Sequence, residues 1–361
     1  MSTKKSNILL IVGNLSTPGG VSVFWNSLLS AFQKIDIFSF NILQIGGHGK
    51  NIFGPIIDQW KLHKNIKSNK NIQLAVVNPS LLNRSFFRDG LFAKQLANNN
   101  LPFVVFFHGW DLNFERTVTK KYINFFLTSF GKAEKIFVLS EDFKEKIIEW
   151  NYQGDVIVQT TTVDANLANN FSIEDKFSKV TTDNTTTKIL FLSRIIKEKG
   201  IFELIDAFEN LNKRINNLEL IIAGDGEAFN QLKNIVKDKK HIKLTGHVEG
   251  ERKITLLKEC DIYILPSYTE GLPISVLEAM LFGLPVITTK VGGLKKFFKD
   301  EKMGYFIETK NSTDIENKIE FMLKNKDKLK EISKFNYQYA QNNLTNDVVA
   351  DALSNHLKEL I

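Results

Sequence analysis

The stretch that decides the fold is Glu270–Gly293, EGLPISVLEAMLFGLPVITTKVGG. An apolar run ends before it at Pro266, and a loop then carries Glu270-Gly271-Leu272. Pro273 suits the first turn of a helix, where no N–H is needed. Gly283 stops that helix, and Pro285 forbids its continuation into the next apolar run, Pro285–Thr288. A helix held this way between two strands points its leading N–H groups and positive dipole end at the strand-end crevice. Such an end is an anion site, suited to a diphosphate.

The same alternation extends outward. Lys188–Leu192, Leu218–Ala223, Ile242–Thr245 and Ile262–Leu265 precede the stretch as short apolar runs bounded by turn residues. An earlier series runs through Asn7–Gly13, Phe38–Leu43, Ile72–Asn78, Phe103–Phe107 and Lys135–Leu139, with helical patterns over Val21–Gln33 and Glu141–Trp150. Strands alternating with helices imply parallel sheets covered on both faces. At 361 residues the chain is long enough for two domains. The expected fold is α/β, with two doubly wound Rossmann-like domains: residues 1–165, then 188–339. Residues 166–187, rich in Asn, Ser, Thr and Asp, read as a linker or surface excursion. The tail from Thr313 is helical in pattern, and its last helix, 340–361, is expected to pack back on the first domain. Ligands of such sheets sit at the carboxyl ends of strands, so a cleft between two facing sheets is the expected site.

Composition removes several classes. With 43% hydrophobic and 24% charged residues the chain has a globular balance. One cysteine, Cys260, excludes an internal disulfide and a thiolate-only metal cluster. No stretch approaches the roughly 18 unbroken apolar residues of a membrane span. The start, MSTKKSNILLIVGN, resembles a buried strand more than a signal peptide, since Gly13 and Asn14 end its apolar run early. A cytoplasmic location follows as the expectation. Residues 1–150 hold 18 Lys and Arg against 10 Asp and Glu, whereas the remainder holds 29 against 30. The excess includes Lys61, Lys64, Lys67 and Lys70, and all four tryptophans lie in this half. A lysine-rich solvated face accounts for it. The sharper alternative is an anionic partner, either a phospholipid surface met peripherally or a phosphate-bearing acceptor.

Glu278 is the odd residue of the deciding helix. Ile274, Ser275, Leu281 and Phe282 are its neighbours at three and four positions, so its carboxylate shares a largely apolar face. A buried carboxylate needs donors. Ribose hydroxyls would supply them, and a salt bridge to a nearby Lys or Arg is the plainer account. Glu270 lies eight residues earlier, in the loop. Glu-x7-Glu with Gly-x-Pro after the first Glu, Glu-Ala-Met around the second and Gly-x-Pro-Val-Ile downstream resembles the retaining glycosyltransferases of family 4, with the GT-B fold.

Other segments fit the resemblance in order. Ser193-Arg194 to Lys199-Gly200 is similar to the family's segment whose Arg and Lys hold the donor diphosphate; two cations opposite a helix N-terminus form a phosphate clamp. Gly224-Asp225-Gly226 is similar to a family turn near the nucleotide, although a tight strand–helix turn explains the glycines equally well. Val248, in Gly246-His247-Val248, stands where the family contacts the base through main chain. Gly271 and Leu272 follow Glu270 on the donor side. Gly19 and Gly20 match the family's glycine loop near the donor phosphate and acceptor, and lack the spacing of a dinucleotide triplet. His108, after an apolar strand, matches a histidine that contacts the donor sugar. Trp110 and Asp111 beside it are candidates for the acceptor side, with core packing an equal account of Trp110. Thr161-Thr162-Val163-Asp164 keeps the Val and Asp of the family's domain-entry turn but lacks its Gly.

The resemblance implies transfer of a sugar from a nucleoside diphosphate sugar, of uridine or guanosine, to a hydroxyl of a saccharide or lipid-linked acceptor. It implies retention at the anomeric carbon and a role in polysaccharide, lipopolysaccharide or other glycoconjugate synthesis. Glu270, His108, Arg194 and Lys199 are the expected catalytic residues. No cofactor, no metal and no nucleic acid partner is expected, because no Asp-x-Asp lies at a strand end and the cations supply the charge. A nucleotide-sugar epimerase of the same architecture, or a non-catalytic nucleotide-sugar-binding subunit, are the alternatives.

Overall fold

Both series of apolar runs form parallel sheets. The computed structural model describes residues 5–17, 19–47, 53–178 and 186–361. Outside the described residues lie Met1–Lys4 of the lysine-bearing start, Pro18 of the glycine loop and 179–185 of the expected linker.

The chain divides into two compact units, Met1–Thr162 with Asn346–Ile361, and Val163–Thr345. In the first, β1 (Ser6–Val12), β2 (Phe38–Gln44) and β3 (Leu74–Val77) are followed by the short β4 (Ser80–Leu81), then β5 (Phe103–Phe106), the short β6 (Gly109–Trp110), β7 (Lys135–Val138) and β8 (Asp155–Val158). The sheet order is β2-β1-β3-β5-β7-β8, every pairing parallel, with β4 and β6 forming a separate two-stranded ladder. β3, β5 and β7 are buried along their whole length, as continuous apolar runs require in a sheet covered on both faces. The terminal helix Asn346–Lys358 belongs to this unit: Val349, Ala350, Leu353 and Leu357 are part of its core.

The second unit holds β9 (Thr187–Leu192), β10 (Leu218–Ala223), β11 (Ile242–Gly246), β12 (Ile262–Leu265), β13 (Val286–Thr289) and β14 (Gly304–Ile307), in the order β11-β10-β9-β12-β13-β14 and again parallel throughout. β9 pairs with β10 on one side and β12 on the other, with Ile262 opposite Ile189. The winding direction therefore reverses between β9 and β12, which opens a crevice at their carboxyl ends.

Besides the two-residue β4 and β6, two strands of the main sheets are absent from the periodicity reading, β8 and β14. Each is a four-residue strand at a sheet edge, and β8 is exposed at Asp155 and half-buried at Ile157 and Val158. Such segments lack the unbroken apolar run that marks interior strands. Part of the stretch read as linker is ordered: a 3-10 turn spans Ala165–Ala168 and a helix spans Ile173–Ser178, with Ile173 buried and Phe171 edge-on to Phe282. Its few apolar residues suffice because they dock on an existing core.

Candidate active site

The helix of the deciding stretch runs Ile274–Leu281. Pro273 takes the N-cap position, one residue before the expected first turn, and no side chain caps the leading N–H groups. Gly283 ends the helix at φ +64, a left-handed conformation that glycine adopts without penalty. The helix start is fixed to the end of β9 by one buried phenol: the Tyr263 hydroxyl donates to Leu192 O at 3.1 Å and meets Ser275 Oγ at 2.7 Å. Burial holds the Tyr263 pKa above its usual value, so it stays a neutral strut.

Around this strut the loops after β9 and β12 converge. Lys199 Nζ lies 2.5 Å from Glu270 Oε1, with both side chains largely buried. Ser267 Oγ donates to the same carboxylate oxygen at 2.7 Å. Arg194, five residues before Lys199, is exposed, and its side chain makes no hydrogen bond or ion pair with a described residue. The crevice thus carries one neutralised cation, one open cation and an uncapped helix start. Glu278 is buried on the same helix at 6% exposure, and Lys253 Nζ from helix Gly250–Glu259 donates to its Oε1 at 2.6 Å. The salt-bridge account of Glu278 is therefore realised, through a lysine the sequence reading did not single out.

The glycines separate into two groups. Gly224 has φ +149, and a Cβ there would stand 1.9 Å from Ser193 O; at Gly226, φ +158, it would stand 2.5 Å from Ile195 O. Both are demanded by the close packing of two strand-end loops, which Ile195 N to Asp225 O, 2.9 Å, and Ala228 N to Ile195 O, 3.0 Å, tie together. This packing accounts for both glycines. The exposed Asp225 accepts from Gly226 N at 2.7 Å, and Val248 is buried two residues past β11. Gly20 and Gly271 differ: neither has positive φ, and a Cβ at either would meet nothing within 4 Å. Gly19, the N-cap of helix Gly20–Ile35, is extended, and its Cβ would meet only Ser22 Oγ at 3.7 Å. The fold leaves these three exposed positions open, and Leu272 beside Gly271 is buried.

In the first unit His108 stacks on Phe106 at 4.2 Å between centroids and meets Phe24 edge-on at 4.9 Å. Burial pushes its pKa down to about 3. Asn78, ending the strand beside it, accepts from Trp25 Nε1 at 2.7 Å and donates through Nδ2 to Ile11 O at 2.9 Å. That fixes the amide orientation, so Asn78 Oδ1, 2.9 Å from His108 Nε2, must accept from the ring. The imidazole is held neutral with its proton on Nε2, leaving Nδ1 as an acceptor. Trp110 and Asp111 both make contacts that serve the fold. Trp110 stacks on Phe143 at 4.4 Å and on Trp150 at 5.9 Å and donates to Glu115; Asp111 caps helix Leu112–Thr117 by accepting from Phe114 N at 2.6 Å. Among the described residues no group of three or more His, Cys, Asp or Glu is placed to hold a metal ion, and no helix is long and apolar enough to cross a membrane.

Residues 172–339 match the family of glycosyl transferases group 1. The match falls within the second unit. An uncharacterized glycosyltransferase of Methanocaldococcus jannaschii is 25% identical over 330 residues, 86% of each chain. TuaC of Bacillus subtilis, named for teichuronic acid biosynthesis, is 29% identical over 199 residues, 55% of this chain and 49% of TuaC. CapM of Staphylococcus aureus, a capsular polysaccharide biosynthesis glycosyltransferase, is 25% identical over 234 residues, 61% of this chain and 60% of CapM. The chain thus spans about half the length of TuaC. Among solved structures, sucrose-phosphate synthase from Thermosynechococcus elongatus superposes with a TM-score of 0.77 at 16% identity, over 99% of both chains. HepE of Anabaena in complex with UDP-glucose gives 0.69 at 17%, over 98% of this chain and 99% of that one. These likenesses establish the fold as GT-B.

The sequence reading missed four supporting residues: Lys253, Ser267, Tyr263 and Asn78. Asn78 was the most findable, as a polar residue closing an apolar strand. Lys253 carries no local signal, because its partner lies 25 residues away on another helix.

Proposed function

We propose that the chain transfers a sugar from a nucleoside diphosphate donor to an acceptor hydroxyl with retention at the anomeric carbon. The observation that carries this reading is the pairing of open Arg194 with the Lys199–Glu270 ion pair at the β9–β12 crevice. Arg194, Lys199 and the leading amides of helix Ile274–Leu281 stabilise the charge that grows on the departing diphosphate. The bond from the anomeric carbon to the diphosphate oxygen breaks on the face where the acceptor oxygen adds, and the leaving phosphate takes the acceptor proton. Glu270, Gly271 and Leu272 position the sugar. His108 accepts from a sugar hydroxyl through Nδ1. Gly19 and Gly20 leave room near the donor phosphate, Val248 contacts the base, and Glu278 exchanges or shares Lys253 with the ribose hydroxyls. No metal is required, because the cations supply the charge.

The acceptor is a saccharide or a lipid-linked saccharide, met by a cytoplasmic enzyme peripheral to the membrane. Relatives named for capsular polysaccharide and teichuronic acid synthesis support the acceptor class, and the UDP-glucose complex of HepE supports a uridine donor. Thermal unfolding with UDP, GDP and their sugars tests the reading. A true donor raises the midpoint by mass action; no shift with any of them at millimolar concentration would overturn it.

A further inference from the structure

Helix Gly54–Ser68 buries Gly54, Asp58 and Leu62, a stripe at four-residue spacing. Its opposite face is built otherwise. The three most exposed large apolar side chains among the described residues, Phe53 at 61%, Ile56 at 65% and Trp60 at 61%, stand there with Ile57 beside them. At 3.6 residues per turn the same stripe continues into Lys64 and Lys67. Lys61 turns back toward Asp58, 3.7 Å from its Oδ1, and the exposed Lys70 follows the helix. Lys64 Nζ lies 5.5 Å from the Trp60 ring centroid. The one acid between residues 53 and 70, Asp58, is turned inward and accepts from Gly46 N at 2.8 Å. The outward face is therefore apolar over its first two turns, cationic over the rest, and without a carboxylate of its own.

We infer that this face docks on an anionic phospholipid bilayer, with Phe53, Ile56 and Trp60 entering the interface and Lys64, Lys67 and Lys70 meeting headgroups. Water exposes three large apolar groups at a cost that acyl chains remove, and tryptophan favours the headgroup level. Each lysine adds attraction to an anionic leaflet, and the combination is that of an interfacial amphipathic helix. The inference deepens the proposed use of a lipid-linked acceptor and rests on that reading for its purpose.

The test sediments the full chain with phosphatidylcholine vesicles, with and without phosphatidylglycerol, at low and high salt. Binding is expected only to the anionic vesicles, weakening as salt rises. It should come with a blue-shifted tryptophan emission that Trp60→Phe removes, since Trp25 and Trp150 are already buried. Ile56→Ser with Trp60→Ser should lower the partition roughly ten-fold or more, and Lys64→Glu with Lys67→Glu by at least as much. Wild-type protein left in the supernatant at low salt, or variants that sediment like wild type, would overturn the docking face. So would self-association abolished by Trp60→Ser without vesicle binding. Stabilisation by UDP reports the donor site separately: vesicle binding without it sinks the transfer reading alone, and the reverse sinks the docking face alone.

Discussion

Lys199 and Glu270 form an ion pair at 2.5 Å, 12% and 8% exposed at their side chains, in the loops that flank the β9–β12 crevice. In the proposed reaction the cation assigned to the diphosphate is thus paired with the carboxylate assigned to the sugar. Lys199→Met leaves Glu270 with only the Ser267 hydroxyl, and should cost on the order of 3 kcal/mol in urea unfolding. Glu270→Gln keeps the hydrogen bonds but frees the lysine. UDP affinity should hold or rise while transfer falls roughly a hundred-fold; undiminished turnover would remove Glu270 from the reaction.

Arg194 is the control for that pair. Being exposed and unbonded, it contributes little to the fold, so Arg194→Ala should leave stability within about 0.5 kcal/mol. Calorimetry should nonetheless show UDP binding weakened roughly ten-fold or more, as loss of charged hydrogen bonds predicts. Unchanged affinity would sink the phosphate clamp.

Glu278 has two accounts that one comparison separates. If it grips ribose, wild type prefers UDP to 2′-deoxy-UDP, and Glu278→Gln abolishes the preference. If it serves only Lys253, the preference survives, and the double variant with Lys253→Met shows a coupling of about 1–3 kcal/mol in stability alone.

The two kinds of glycine give opposite outcomes on substitution. Gly224→Ala meets Ser193 O and a φ of +149, so unfolding should occur about 2 kcal/mol more easily or worse. Gly20→Ala meets nothing and sits in a helical turn, so stability should hold or rise by about 1 kcal/mol. Its effect should fall on donor affinity; an unaltered affinity would return this loop to a purely structural role.

His108 titrates near pH 3 in the folded chain and near 6.5 when unfolded. The unfolded state therefore binds the extra proton between those values. The stability this residue contributes is complete above pH 6.5 and is lost as pH falls toward 3, at up to about 1.4 kcal/mol per pH unit. A His108→Gln variant should show a shallower acid limb in thermal unfolding, and the His108 ring resonance should not titrate between pH 5 and 8. A midpoint near 6.5 would show the ring to be hydrated and unlocked from Asn78.

The sheets were legible because interior parallel strands such as β7 and β12 must be apolar on both faces, which leaves an unbroken signature in the residues. Edge strands β8 and β14 escape that requirement and were not read. The deciding helix could be bounded from Gly283 and Pro285, whose backbone constraints are local. Its partners could not: the Lys253–Glu278 and Asn78–His108 pairs depend on distances across the fold. Trp110 illustrates the ambiguity, since its position after a strand suits a sugar platform equally well, and only its stacking on Phe143 and Trp150 settles it as packing.

The return of helix Asn346–Lys358 to the first unit bears on how the molecule is made. Val349, Leu353 and Leu357 complete a core whose other members are translated first. The amino-terminal unit therefore cannot close its core until residues 346–358 have been made. Until then an apolar groove stays uncovered, and a truncation before Val349 would damage the half of the protein farthest from it in sequence.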